Sequence, residues 1–216
     1  LLYAATLASA YSVSAVVPYM RDLRQDRKDR PRVAITAKLD MAEIESAMRA
    51  ASRRHVIFFH PHFPQVQGYL DAATSDILYP TEIFRGYLDR LGLDFSKVVT
   101  VAPDAGAARL AEIYAKSLGL DSFAVGNKVR DNDDHVVIRD IIGDVSGKTA
   151  LVFEDIIDTA GTIRKLSLKL KEKGVSEIIV FATHGVLAPG AIENLREAGM
   201  RKVVITDSVY HDPHTL

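Results

Sequence analysis

Short runs of Val, Ile, Phe and Ala recur along this chain without the apolar–polar alternation of a half-exposed strand, and stretches of helical spacing separate them. Such runs suit strands covered on both faces, as in parallel sheets. Strands are expected at Ser14–Val17, His55–Phe59, Val98–Val101, Ser122–Val125, Val136–Ile141, Ala150–Phe153, Ile178–Ala182 and Val203–Thr206. Helices are expected at Leu1–Ala10, Asp40–Arg53, Thr81–Leu91, Ala107–Leu118, Thr162–Lys173 and Pro189–Ala198. This alternation calls for right-handed βαβ units, hence an α/β fold of mostly parallel sheets flanked by helices. Lys173-Gly174 and Ala198-Gly199 each place glycine where a left-handed helix cap is needed. A domain boundary is expected near Asp76–Pro80, where an open polar loop gives way to a helix, dividing the chain into residues 1–78 and 79–216.

Composition narrows the function classes. Hydrophobic residues make up 48% of the 216 and charged residues 25%, which suffices for a core without covalent staples. The absence of cysteine excludes disulfides and thiol-ligated metals and fits a cytoplasmic protein. A net charge of -1 supplies no basic field, so nucleic acid is not an expected partner. Residues 1–20 have no basic lead and are interrupted by Ser, Thr and Tyr, so no membrane partner is expected either. The chain opens on apolar residues without Met, and the expectation is that it begins inside a larger protein.

In open parallel sheets, ligands sit at the carboxyl ends of strands. There the run Ala150–Thr162 passes from an apolar strand through Glu154-Asp155 to Asp158-Thr159-Ala160-Gly161-Thr162 and into a helix. Adjacent carboxylates are poor packing material but suit hydrogen bonding to a vicinal diol. Small residues, hydroxyls and N–H groups at a helix N-terminus make an anion cradle. Diol and phosphate together describe a pentose 5-phosphate. The competing reading is that Asp158 or Thr159 merely caps the helix and the acidic pair is solvated.

Four other segments carry polar chemistry beside strands. Arg24-Gln25-Asp26-Arg27-Lys28-Asp29 is either a solvated charged loop or a nucleotide site in which Arg grips phosphate. His60-Pro61-His62 follows a strand, and nothing nearby completes a zinc set. Asp104, in Pro103-Asp104-Ala105-Gly106, taken alone suits a helix cap. Lys128 and Arg130 lie in a polar stretch between two strands, expected to be mobile. Taken alone they read as solvated charges.

The loop Glu154–Thr162 resembles the sugar-phosphate loop of type I phosphoribosyltransferase-fold proteins, with Glu154 where many members have Asp. The other segments resemble motifs of the ribose-phosphate diphosphokinase family. Pro18-Tyr19-Met20, then Arg24–Asp29 and Thr36-Ala37-Lys38-Leu39, are similar to its ATP-binding segment, with two extra residues after Met20. His62, Gln65, Gln67 and Gly68 match its D-L-H-A-x-Q-I-Q-G-F segment, with His60 in place of Asp. Asp104 matches S-P-D-A-G-G, Lys128 and Arg130 match the K-x-R core of the catalytic loop, and Thr183-His184-Gly185 matches a segment packed beside the sugar.

The resemblance implies two tandem phosphoribosyltransferase-like domains: residues 1–78 as the later part of the first, incomplete at its N-terminus, and 79–216 as most of the second. The implied activity transfers the diphosphoryl group of ATP to the 1-hydroxyl of ribose 5-phosphate. Arg24, Gln25, Asp26, Asp29 and His62 would bind ATP, and His62 and Asp104 would bind Mg²⁺. Glu154, Asp155, Asp158, Thr159, Ala160, Gly161 and Thr162 would bind ribose 5-phosphate, with Lys128 and Arg130 catalytic. The implied assembly is a homo-oligomer, a hexamer built from dimers. A catalytically silent regulatory homologue and a nucleobase phosphoribosyltransferase are the alternatives.

Overall fold

The computed structural model describes residues 1–28, 30–130 and 136–212, with Arg130 and Val136 described by backbone alone. The chain divides into two compact units, Leu1–Pro80 and Thr81–Leu216. Among the described residues no helix is long and apolar enough to cross a membrane.

In the first unit, strands β1 (Ser12–Val17), β2 (Arg53–Phe59) and β3 (Thr74–Leu78) pair in parallel in that order. Register places Ala15 beside Val56 and Phe58 beside Ile77, so one sheet face is apolar. Helices α1 (Leu2–Leu7) and α2 (Thr36–Met48) accompany it. Val13, Ala15, Val56 and Phe58 form one core with Ala37, Met41 and Met48 of α2. The helix expected at Asp40–Arg53 thus starts a turn earlier and stops sooner, because Ala37 and Met41 bury while Arg53 is taken by β2. Strand β3 replaces an expected open loop. It is an edge strand with only Ile77 and Leu78 strongly apolar, so its pairing is not written in its hydropathy.

The turn leading into β3 hangs on one carboxylate. Glu45 of α2 accepts hydrogen bonds from the backbone N–H groups of Asp71 (2.9 Å), Ala72 (2.7 Å) and Ala73 (2.7 Å). Partial burial works against its charge, but the three donors outweigh that and hold the carboxyl below its ordinary pKa.

In the second unit, six strands run in the order β6-β5-β4-β7-β8-β9: β4 (Val98–Ala102), β5 (Phe123–Arg130), β6 (Val136–Ile142), β7 (Thr149–Ile157), β8 (Glu177–Gly185) and β9 (Lys202–Ile205). All neighbours are parallel except β5 and β6. Helices α3 (Thr81–Leu88), α4 (Ala108–Ser117), α5 (Gly161–Glu172) and α6 (Ala191–Ala198) complete it. Successive residues of each strand face opposite cores. Val101, Val152 and Val180 pack with Ile163, Leu166 and Leu170 of α5, whereas Leu151, Phe153, Ile179 and Phe181 pack with Phe84, Leu88 and Tyr114. Tyr114 stacks on Phe153 with ring centroids 3.7 Å apart.

One expectation is corrected here. Gly126–Arg130 is not a connection between strands but the end of β5, paired antiparallel with β6, while Asp131 and Asn132 of the expected stretch lie outside the described residues. An antiparallel edge pair tolerates a polar face, so the absence of an apolar run did not mark a loop.

Glu45→Ala should destabilise the first unit by about 1–2 kcal/mol, the scale of charge-assisted hydrogen bonds at a partly exposed site. Because the carboxyl is held below its ordinary value, this contribution is present at neutral pH and is lost as pH falls through the depressed value. Urea denaturation followed by circular dichroism at neutral and acid pH measures both effects; equal midpoints for variant and wild type would contradict them.

Candidate active site

The chain runs from β4 to β5 on one side and then crosses to β7 on the other, so the order of strands reverses between β4 and β7. The carboxyl ends of those two strands bound a topological switch point. Asp104 sits just beyond β4. Its Oδ1 accepts from the N–H groups of Gly106 (2.9 Å) and Ala107 (3.2 Å), capping the short turn into α4. Its Oδ2 accepts from Lys128 Nζ at 2.9 Å. Burial alone would raise the Asp104 pKa, yet Lys128 and the two amides bring it below the ordinary value. The capping role left open above is therefore present, and it coexists with a charged pairing that a cap does not need.

Two backbone features bring Lys128 there. A register shift between Asn127 and Lys128 interrupts the β5–β6 ladder, re-aiming the strand as bulges do. One residue earlier, Gly126 passes so near the turn after β4 that a Cβ there would lie 2.4 Å from the Pro103 carbonyl oxygen. Only glycine permits that approach without movement of backbone. Gly126 was not among the expected site residues, although a lone glycine inside a strand signals close backbone contact.

Glu154 and Asp155 are half-buried near the carboxyl end of β7. Desolvation, then the negative charges of Asp155 and Asp104, push the Glu154 carboxyl up to about 8, with Lys128 opposing them. Asp104, Lys128, Glu154 and Asp155 thus form one electrostatic cluster. Strand β7 then enters the loop to α5. Asp158 and Thr162 are half-buried, Thr159 is exposed, and Ala160 is buried with φ 60°, the left-handed region. No side chain of the capping residue closes the first turn of α5, which begins at Gly161. The site residues expected in this unit therefore lie along one edge of the sheet. The side chain of Arg130, at the end of β5, lies outside the described residues.

In the first unit, Arg24 and Gln25 are exposed and Asp26 is half-buried after a 3-10 turn at Arg21–Arg24. Gln25 Oε1 accepts from Thr36 Oγ1 at 2.6 Å, and Tyr69 Oη donates to the Asp26 carbonyl. The segment is thereby tied to α2 and to the turn Pro64–Tyr69. Asp29 lies outside the described residues. His62 is exposed after β2, while His60 is buried, with its ring edge-on to Tyr79 at 5.2 Å. Gln67 donates to the Ser75 carbonyl (3.0 Å) and Oγ (3.1 Å), so it supports β3. Among the described residues no three His, Asp or Glu side chains form a metal set. The Asp104 carboxylate is a hard oxygen donor of the kind that can share Mg²⁺ with phosphates and water.

A mostly parallel sheet with an acid pair near its switch point and a helix-opening loop beyond it places this unit among the phosphoribosyltransferase-like α/β folds. Two family models match: the N-terminal domain of ribose phosphate pyrophosphokinase over residues 1–48, and the phosphoribosyl synthetase-associated domain over 127–216. The ribose-phosphate pyrophosphokinase of Chlorobaculum tepidum is 38% identical over 206 residues, covering 95% of this chain and 62% of the relative. That of Caldanaerobacter subterraneus is 39% identical over 203 residues, covering 94% and 62%. The crystal structure of phosphoribosylpyrophosphate synthetase from Mycobacterium smegmatis superposes with a TM-score of 0.85 at 32% identity, over 100% of this chain and 68% of that one. The chain belongs to the ribose-phosphate pyrophosphokinase family and spans about three-fifths of the length of these curated relatives.

Gly126→Val should force the Pro103–Asp104 turn away from β5, costing about 1–3 kcal/mol as overpacking does and loosening the Asp104–Lys128 pair. Thermal melts monitored by circular dichroism test this, and an unshifted melting temperature would refute it. Between the ordinary value of 4.5 and about 8, folded Glu154 keeps a proton that the unfolded chain has released. Without divalent cations, stability should therefore fall as pH rises through that window, and Glu154→Gln should flatten the fall. Urea midpoints across the range check it; parallel curves for the two proteins would count against the shift.

Proposed function

We propose that this chain supplies catalytic machinery of a ribose-phosphate diphosphokinase, which moves the diphosphoryl group of ATP onto the 1-hydroxyl of ribose 5-phosphate. The observation that carries this reading is the meeting of Asp104, Lys128, Glu154 and Asp155 at the switch point, directly before the Asp158–Thr162 loop. A nucleobase phosphoribosyltransferase would share the loop but has no use for the Arg24–Asp29 segment.

On this reading, Asp158, Thr159, Ala160, Gly161 and Thr162 hold the 5-phosphate with backbone amides at the start of α5. Glu154 and Asp155 hold the ribose hydroxyls. A carboxyl that keeps its proton near neutrality can donate, and its charged neighbour can accept, which suits a vicinal diol. Arg24, Gln25, Asp26 and Asp29 bind ATP. His62 and Asp104 are the side chains that would each be offered to Mg²⁺, which would neutralise phosphate charge.

In the transfer, the ribose 1-oxygen forms a bond to the β-phosphorus as the bond to the α-phosphate oxygen breaks. AMP leaves, and the hydroxyl proton passes to solvent. Lys128 and Arg130 stabilise the charge that builds on the equatorial oxygens. Positioning and charge do the work, and no dedicated base is required.

Lys128→Ala in the full-length protein should lower ATP- and Mg²⁺-dependent AMP release by about 10²-fold or more, the usual cost of removing a transition-state donor. Ribose 5-phosphate binding should change little. Retained turnover would remove Lys128 from the mechanism. A wild-type protein that releases no AMP would favour a silent regulatory homologue.

A further inference from the structure

The backbone of the phosphate loop is anchored from behind, and one side chain completes that anchoring. The Ile157 carbonyl accepts from the N–H groups of Val186 (2.8 Å) and Leu187 (3.0 Å), and the Asp158 carbonyl accepts from Ala188 N–H at 3.1 Å. The next carbonyl, Thr159, has its partner in a side chain: Asn194 Nδ2, on α6, donates to it at 2.9 Å. The Ala160 carbonyl accepts from Arg164 N–H at 2.9 Å, the first hydrogen bond of α5. Four successive carbonyls are therefore committed.

This commitment fixes more than the carbonyls. Among the described residues no peptide bond is cis. In a planar trans peptide, the carbonyl of one residue and the N–H of the next point in opposite directions. Holding the Ile157 and Asp158 carbonyls against Val186–Ala188 and the Thr159 carbonyl against Asn194 of α6 turns the N–H groups of Asp158, Thr159 and Ala160 the other way. There they join the first-turn N–H groups of α5, which have no acceptor within the helix. Asn194 controls the Thr159–Ala160 peptide, the last one before the helix takes over. That peptide is also the one whose rotation would be easiest, since the residue after it sits at φ 60°.

We infer that Asn194 is a positioning residue for the sugar-phosphate loop: it does not touch the ligand but sets the direction of the Thr159–Ala160 amide that does. The inference rests on the ribose 5-phosphate reading of the loop and deepens it. Thr183-His184-Gly185 contributes from the same side, because it ends β8 and delivers Val186, Leu187 and Ala188 to their carbonyls. His184 is buried and hydrogen-bonded to Ser208 Oγ at 2.8 Å, which fixes the end of that strand.

The test uses the full-length protein with Asn194→Asp, which keeps the shape but loses the donor, and Asn194→Ser, which is uncharged and too short to reach. Ribose 5-phosphate binding is measured calorimetrically, together with KM, kcat and melting temperature. Both variants should bind ribose 5-phosphate about fivefold more weakly, the ratio that one ordinary hydrogen bond commands. KM should rise in step, with kcat at saturation and melting temperature nearly unchanged. With ribose 5-phosphate bound, amide hydrogen exchange at Ala160 should accelerate in both. Unchanged affinity in variants whose wild-type parent binds ribose 5-phosphate would overturn the role of Asn194 alone. A lowered melting temperature with unchanged KM would make Asn194 a purely structural residue and also overturn it. A wild-type protein that binds no ribose 5-phosphate would overturn the site reading, and this inference with it.

Discussion

Everything chemical in the second unit depends on β4 and β7 lying side by side in parallel with apolar cover on both faces. Every residue of β4 is buried, as are Ala150, Leu151, Val152 and Phe153 of β7. A strand in that position uses its N–H and C=O groups in the ladder and its side chains in two cores, so it has no room for charge along its length. Charge is admitted only toward the carboxyl end, where the apolar cover thins. Asp104 beyond β4 and Glu154-Asp155 near the end of β7 are consequences of that exclusion. Their closeness to each other follows from the reversal of strand order.

Charge gathered in this way has to be balanced. Lys128 arrives from an antiparallel strand that is irregular at the residue before it and runs past a glycine. Its ammonium offsets Asp104 directly and Glu154 in part, leaving Glu154 with a raised pKa. The first unit is organised differently. There the Arg24–Asp26 segment is held by Thr36 and Tyr69, so its position derives from α2 and from the turn after β2.

Long apolar runs were legible in the sequence because burial on both faces leaves a hydropathy signature, and each expected strand overlaps an observed one. Glycine caps were equally legible, since Gly174 and Gly199 take positive φ as their positions demanded. What could not be read was pairing that burial does not enforce. Strand β3 is half polar, and the Lys128 end of β5 pairs through its backbone while its side chains stay largely polar. The acid pair and the Asp158–Thr162 loop were legible through residue type and order. Asn194 and Glu45 were not, because each acts on backbone that is distant in sequence and nothing in their local pattern announces the partner.

Ala160 adopts a conformation that most chains give to glycine. For an alanine it costs about 1 kcal/mol, a small part of what the buried methyl and the anchored carbonyls around it supply. The return lies in the states the loop does not visit. An alanine has fewer backbone alternatives than a glycine, so the segment loses less disorder when a ligand arrives. Its rigidity is settled when the chain folds and is not charged again at each binding event.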